Sequence, residues 1–252
     1  MTRVGPVPVA HPALAERVPA GTGTIEAWWA DGRGLPAPAV DALASAALAA
    51  AERRRYGAMA DPLARTEFVL ARSVLRGALG RARGCPPAEV PLDTDGGGRP
   101  LVPDAPDTEV SITHSGGVVA VALGTGLPPG TRIGVDIERV RPVARDGALA
   151  RRYFSAAERA WLDSHSGPDR QRAWLDIWTR REAWAKALGT GLRGLSGVPD
   201  THLVPDTRPG HGRCPLRLPR GFIGSLVALI PGRTVRSSLP PPPQPLTPKE
   251  LP

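Results

Sequence analysis

EVSITHSGGVVAVALGTGLPPGTRIGVDIE, Glu109 to Glu138, packs three β-rich runs between glycine and proline turns. EVSITHS ends in a histidine set among hydroxyls and followed by two glycines, VVAVALG is apolar throughout, and RIGVDIE alternates. Alternation on a strand sends Val135 and Ile137 to one face and Asp136 and Glu138 to the other. A small sheet is therefore expected in the middle of the chain.

Upstream, TIEAWWA (Thr24–Ala30) reads as a strand, and Ala39 to Tyr56 as one alanine-rich helix. A second helix is expected from Asp61 to about Arg83. Asp-Pro supplies its cap and first turn, and Leu63, Phe68, Leu70, Val74, Leu75 and Leu79 form its core stripe. Downstream of the sheet, helical pattern resumes near Arg145. FSAAERAWLDS then carries a capping-box signature, with Ser155 and Glu158 three residues apart. A long helix runs from about Pro168 to Leu188 and stops at Gly189 and Gly191. Short strands are expected at Thr201–Val204, Leu216–Pro219 and Phe222–Ile230. The order strand, helices, small sheet thus occurs twice. It predicts an α+β fold of two similar halves, residues 24–130 and 131–232, after a loose segment 1–23 and before a proline-rich tail 233–252. No glycine-rich strand-to-helix turn of the dinucleotide or P-loop kind is present, which argues against a doubly wound nucleotide fold.

The composition narrows the function classes. The net charge of +8 invites an anionic partner, but the basic residues are scattered and aromatics make up only 4%. No nucleic-acid-binding motif accompanies them, so a nucleic-acid partner is not expected. Two cysteines, Cys85 and Cys214, cannot build a disulfide framework, which fits a reducing cytoplasm. The apolar run GFIGSLVALI is too short to span a bilayer, so no membrane role is expected. The protein is expected to act as a monomer.

Chemistry concentrates in two segments. GVDIE presents two carboxylates on one strand face, an arrangement that a solvated polar edge also produces. In WTRREAWAKALG, helical spacing puts Trp178, Glu182 and Lys186 on one face. A surface ion pair would look the same. Of 32 Lys plus Arg, however, only positions 186 and 249 are lysine. A solvated pair tolerates arginine, whereas a compact ammonium that can carry a proton is not replaceable by it. Three carboxylates beside such a lysine suit Mg²⁺, which binds phosphates through a few carboxylates and keeps its waters. His114 either satisfies a turn or contacts an anion.

The motifs GGGRP, SITHSG, GVDIE, FSAAE and WTRREAWAKALGTGL, in that order, resemble the surfactin-type 4′-phosphopantetheinyl transferases, over about Arg53 to Ile230. The resemblance implies a pseudo-two-fold pair of α+β halves with the active site between them. It implies Mg²⁺-dependent transfer of 4′-phosphopantetheine from coenzyme A to a serine of an acyl or peptidyl carrier protein; the arginine- and alanine-rich composition separately suggests a GC-rich bacterial source, where secondary metabolism is the expected setting. By the same resemblance Asp136, Glu138 and Glu182 are the metal ligands. In the mechanism this implies, Glu182 and Lys186 are the catalytic pair: Glu182, or a metal-bound water held by Glu138, is the base, with Glu182 preferred, and Lys186 stabilises or protonates the departing 3′,5′-ADP. Arg53, Arg65, Arg99, Thr113, His114 and Lys186 face coenzyme A, and Glu158 lies near the centre without an assigned role. Arg99 and Arg181 stand where relatives carry lysine, and Gly117 where they carry arginine. The arginines of ERVRPVARDGALARRYF offer complementary charge to an acidic carrier. Competing readings are a coenzyme A binding protein of this fold without turnover, a metal-dependent phosphodiesterase, and a basic adaptor.

Overall fold

The computed structural model describes residues 10–13, 18–20, 23–96, 98–198 and 209–234. The chain opens with β1 (His11–Pro12), β2 (Val18–Ala20) and β3 (Gly23–Asp31), followed by the helices α1 (Ala37–Ala47), α2 (Ala50–Ala58) and α3 (Pro62–Arg83). Next come the hairpin β4 (Asp93–Thr94) and β5 (Pro100–Leu101), then β6 (Glu109–Ser115), β7 (Val118–Thr125) and β8 (Arg132–Arg139). The remainder is α4 (Asp146–Tyr153), α5 (Ala156–Asp163), α6 (Gly167–Leu188), β9 (Pro209–Pro215) and β10 (Phe222–Thr234). The fold is α+β.

Three expectations change. The helix read over Ala39–Tyr56 is two helices, because Leu48 and Ala49 turn extended and Leu48 is fully buried. Glu52 then accepts the Ala49 N–H at 3.1 Å and restarts the helix. The strand read at Leu216–Pro219 is displaced: those residues are irregular, and β9 ends just before them. The stretch read as loose, 1–23, contributes β1 and β2, and β10 runs to Thr234, past the boundary drawn at 232. The strand expected at Thr201–Val204 lies outside the described residues.

The larger sheet has the order β1-β3-β7-β6, with β2 also on β3; the smaller has the order β8-β10-β9. Strand β7 is apolar throughout because both its faces are covered. Val119, Val121 and Leu123 pack towards the helices with Leu70, Leu75 and Leu79, while Val118, Ala120 and Ala122 share a core with Ile133, Val135 and Ile137 of β8. Helix α6 closes the far side of the smaller sheet, where Ala183, Trp184 and Ala187 meet Val227. Its approach depends on Gly134: a Cβ there would lie 1.9 Å from the Ala183 carbonyl oxygen.

The β6–β7 hairpin turns at Gly116 and Gly117, both with positive φ (54° and 86°). That is the two-residue turn such strands favour and that glycine adopts without strain. Strand β6 is an edge of one sheet and β8 an edge of the other. Hydroxyls join them. The Val135, Ile137 and Arg139 N–H groups donate to the side-chain oxygens of Ser111, Thr113 and Ser115 at 3.1, 3.4 and 3.1 Å. Both numbers rise together along this ladder, so the two edges run parallel, with alcohols standing in for carbonyls.

Candidate active site

The ladder fixes the carboxylates. Thr113 Oγ1 donates to Asp136 Oδ1 at 2.9 Å, and Ser115 Oγ to Glu138 Oε2 at 2.7 Å. Each hydroxyl thus accepts from the β8 backbone and donates to a β8 side chain, using its lone pair and its proton at once. Because Ile133, Val135 and Ile137 belong to the inner core, Asp136 and Glu138 emerge on the α6 side. Lys186, one helical turn beyond Glu182, reaches Asp136 Oδ1 at 2.7 Å and the Val135 carbonyl at 3.2 Å.

Electrostatics report the crowding. Burial, then the neighbouring Asp136 charge, offset in part by Lys186, pushes Glu182 up to about 7. Glu138 is also held above its ordinary value, first by burial, with Ser115 pulling it down and Asp136 raising it. Asp136 is buried, and its Oδ2 has no hydrogen-bond partner. An orphaned carboxylate oxygen beside a carboxyl group held half-protonated at neutral pH is what a small divalent cation would relieve. Among the described residues, no three acidic, histidine or cysteine side chains are already drawn to metal-holding spacing. The cation now at the cluster is the Lys186 ammonium.

Beside the cluster lies a cleft of about 590 Å³. One wall is α2, α3 and the start of the β6–β7 hairpin; the other is the β4–β5 turn and the end of α6. Of the residues expected to face a ligand there, His114, Arg99 and Lys186 line it. Thr113 is buried and turned to Asp136. Arg53 and Arg65 do not line it. Arg53 donates to the Leu48 carbonyl at 2.5 Å across the helix break, and Arg65 lies over the Tyr56 ring with Asp41 at 3.5 Å. Arg55 and Arg72, both over the Phe68 ring, line the cleft instead. Arg72 is largely buried, and desolvation outweighs its Glu52 partner, holding its pKa below the usual value. Arg53 is expected there on the resemblance alone, and the structure turns it back to the helix break.

Arg99 is engaged with protein. Its guanidinium donates to the Lys186 carbonyl at 2.5 Å, to the Ile133 carbonyl at 2.9 Å, and pairs with Glu109. Glu158, whose role the sequence leaves open, is fully buried. It closes the capping box with Ser155 and pairs with Arg181 at 2.6 Å. Arg181 also donates to the Leu195 carbonyl at 2.6 Å. Glu67 and Gly117, which composition and spacing do not single out, complete the wall around His114.

Residues 132–219 match the model of the 4′-phosphopantetheinyl transferase superfamily. The chain is 28% identical to the 4′-phosphopantetheinyl transferase HetI of Nostoc sp. over 74% of this chain and 75% of that protein. It is 32% identical to the 4′-phosphopantetheinyl transferase psf-1 of Bacillus pumilus, over 53% and 52%. It is 30% identical to the 4′-phosphopantetheinyl transferase Sfp of Bacillus subtilis, over 42% and 44%. The chain therefore spans three quarters of the first relative and about half of the other two.

Proposed function

We infer that this chain, which belongs to the 4′-phosphopantetheinyl transferase superfamily through residues 132–219, moves 4′-phosphopantetheine from coenzyme A to a serine of an acyl or peptidyl carrier protein and releases 3′,5′-ADP. The observation that carries this reading is the meeting of Asp136, Glu138, Glu182 and Lys186 at the edge of a cleft walled by arginines. In this reading the halves 24–130 and 131–232 are a pseudo-two-fold pair with the site between them. Each contributes a sheet and one helix of 22 residues that ends on a left-handed glycine.

Asp136, Glu138 and Glu182 would hold Mg²⁺, which supplies positive charge to the coenzyme A pyrophosphate as its bond breaks. Arg55, Arg72 and His114 take the ligand's remaining phosphate, in place of the Arg53 and Arg65 assignment. Glu182, facing Asp136 and Glu138 from α6, accepts the proton of the serine hydroxyl. Lys186 swings from Asp136 to the departing phosphate and gives it a proton. Bond formation at the β-phosphorus, loss of the serine proton and protonation of the leaving group then balance. Exposed Arg139, Arg141, Arg145, Arg151 and Arg152 border the carboxylate strand and suit an acidic carrier surface. The two cysteines and the mixed surface fit a cytoplasmic monomer. Among the described residues no helix is long and apolar enough to cross a membrane.

The test is to incubate the protein with coenzyme A, Mg²⁺ and an apo carrier and to weigh the carrier. A gain of one phosphopantetheine is expected. An unmodified carrier with bound coenzyme A would favour the turnover-free reading, and hydrolysed coenzyme A the phosphodiesterase.

A further inference from the structure

The cleft proposed to bind a polyanion has a carboxylate in its wall. Glu67, on α3, lines the cleft and is 6% exposed. Standing alone there it would repel a phosphate and lose much of its hydration. Both of its oxygens are engaged. Oε1 accepts the Gly117 N–H at 2.8 Å, and Oε2 lies 2.8 Å from Nδ1 of His114, whose side chain is 59% exposed. A buried, doubly engaged acceptor thus grips one nitrogen of an exposed ring.

We propose that Glu67 is a positioning residue that fixes the His114 ring, so that its other nitrogen, Nε2, faces the cleft and gives the site its preference for a ligand with a phosphate at that wall. Three features favour this over a purely structural carboxylate. The 2.8 Å contact commits Nδ1 to Glu67 and leaves Nε2 as the edge that meets a ligand. The Gly117 N–H clamps the carboxylate on the tight β6–β7 turn, three residues after His114 itself, so ring and acceptor are held by one hairpin. Glu67 is buried and has both oxygens engaged by Gly117 and His114, so it is held by protein partners instead of facing the ligand, which explains a carboxylate among arginines.

This inference rests on the coenzyme A reading, and the test separates the two. The quantity measured is the ratio of kcat/KM for coenzyme A to that for 3′-dephospho-coenzyme A, with an apo carrier as acceptor. Wild type is expected to prefer coenzyme A, and Glu67→Ala to cut that preference about tenfold or more, as for the loss of one hydrogen bond to a charged group. Glu67→Gln keeps the volume and the Gly117 acceptor but withdraws the charge, so it keeps the question answerable should the alanine variant fold poorly. Its preference should also fall. Glu67→Gln combined with His114→Ala should lose no more than His114→Ala alone. A folded Glu67→Gln that keeps the wild-type ratio, or losses that add in the double variant, overturns the role of Glu67. A wild type that treats the two substrates alike overturns the phosphate site, a failure of the underlying reading that is recognisable without any variant.

Discussion

Lys186 answers to the company it keeps: a compact ammonium fits between Asp136 Oδ1 and the Val135 carbonyl, where a planar guanidinium could not and could not surrender a proton. Lys186→Arg should still bind coenzyme A but transfer about a hundred-fold more slowly, checked by single-turnover kinetics. Glu182 makes a prediction about pH. Its folded value, about 7, lies above its ordinary 4.5, so between those values the folded protein holds a proton that the unfolded chain has released. In EDTA its contribution is full below about pH 4.5 and lost as pH rises through about 7. The Tm should fall across that window, Mg²⁺ should restore it most at the alkaline end, and Glu182→Gln should flatten both responses. An equal Mg²⁺ effect at pH 5 and pH 8 would count against a shared metal site. Glu158 belongs at this scale as well. Glu158→Ala leaves the buried Arg181 without its counter-ion, and should cost about 3–5 kcal/mol in urea unfolding.

Between elements, the alternation of β8 and the helical period of α6 made Asp136, Glu138, Glu182 and Lys186 legible, because each pattern is local to its element. That Lys186 reaches across to Asp136 was not legible, since it depends on how closely α6 lies on β8, and so on Gly134. The hydroxyls of SITHS were visible, but their purpose was not: nothing local distinguishes a turn-capping serine from a rung between two sheets. Glu67 escaped for the same reason, as a lone carboxylate on a helix whose partner comes from a distant hairpin. The ladder can be tested by rung. Ser111 contacts β8 only through its backbone rung, among the bonds described, so Ser111→Ala strands the buried Val135 N–H and should cost about 1–3 kcal/mol. Ser115→Ala should also weaken Mg²⁺ binding, by freeing Glu138. Equal Mg²⁺ affinity in the two variants would contradict that division of labour.

Across the whole molecule, Arg99 ties the β4–β5 hairpin to β6, β8 and the end of α6, linking segments 24–130 and 131–232 through one guanidinium. A lysine cannot span the Lys186 carbonyl, the Ile133 carbonyl and Glu109 together, so Arg99→Lys should destabilise the protein by about 1–3 kcal/mol. Glu109→Gln should add little to it in a double-mutant cycle monitored by thermal unfolding. The α+β class could be read from the repeated order of strand, helices and small sheet, whereas the covering of β7 on both faces shows only in the packing. The placement of β10 could not, and it has a temporal meaning. As the middle strand of the smaller sheet it is the partner that β8 needs, yet it begins about 80 residues after β8 ends. During translation β8, which carries Asp136 and Glu138, therefore waits for its neighbour in the smaller sheet until β10 has been made.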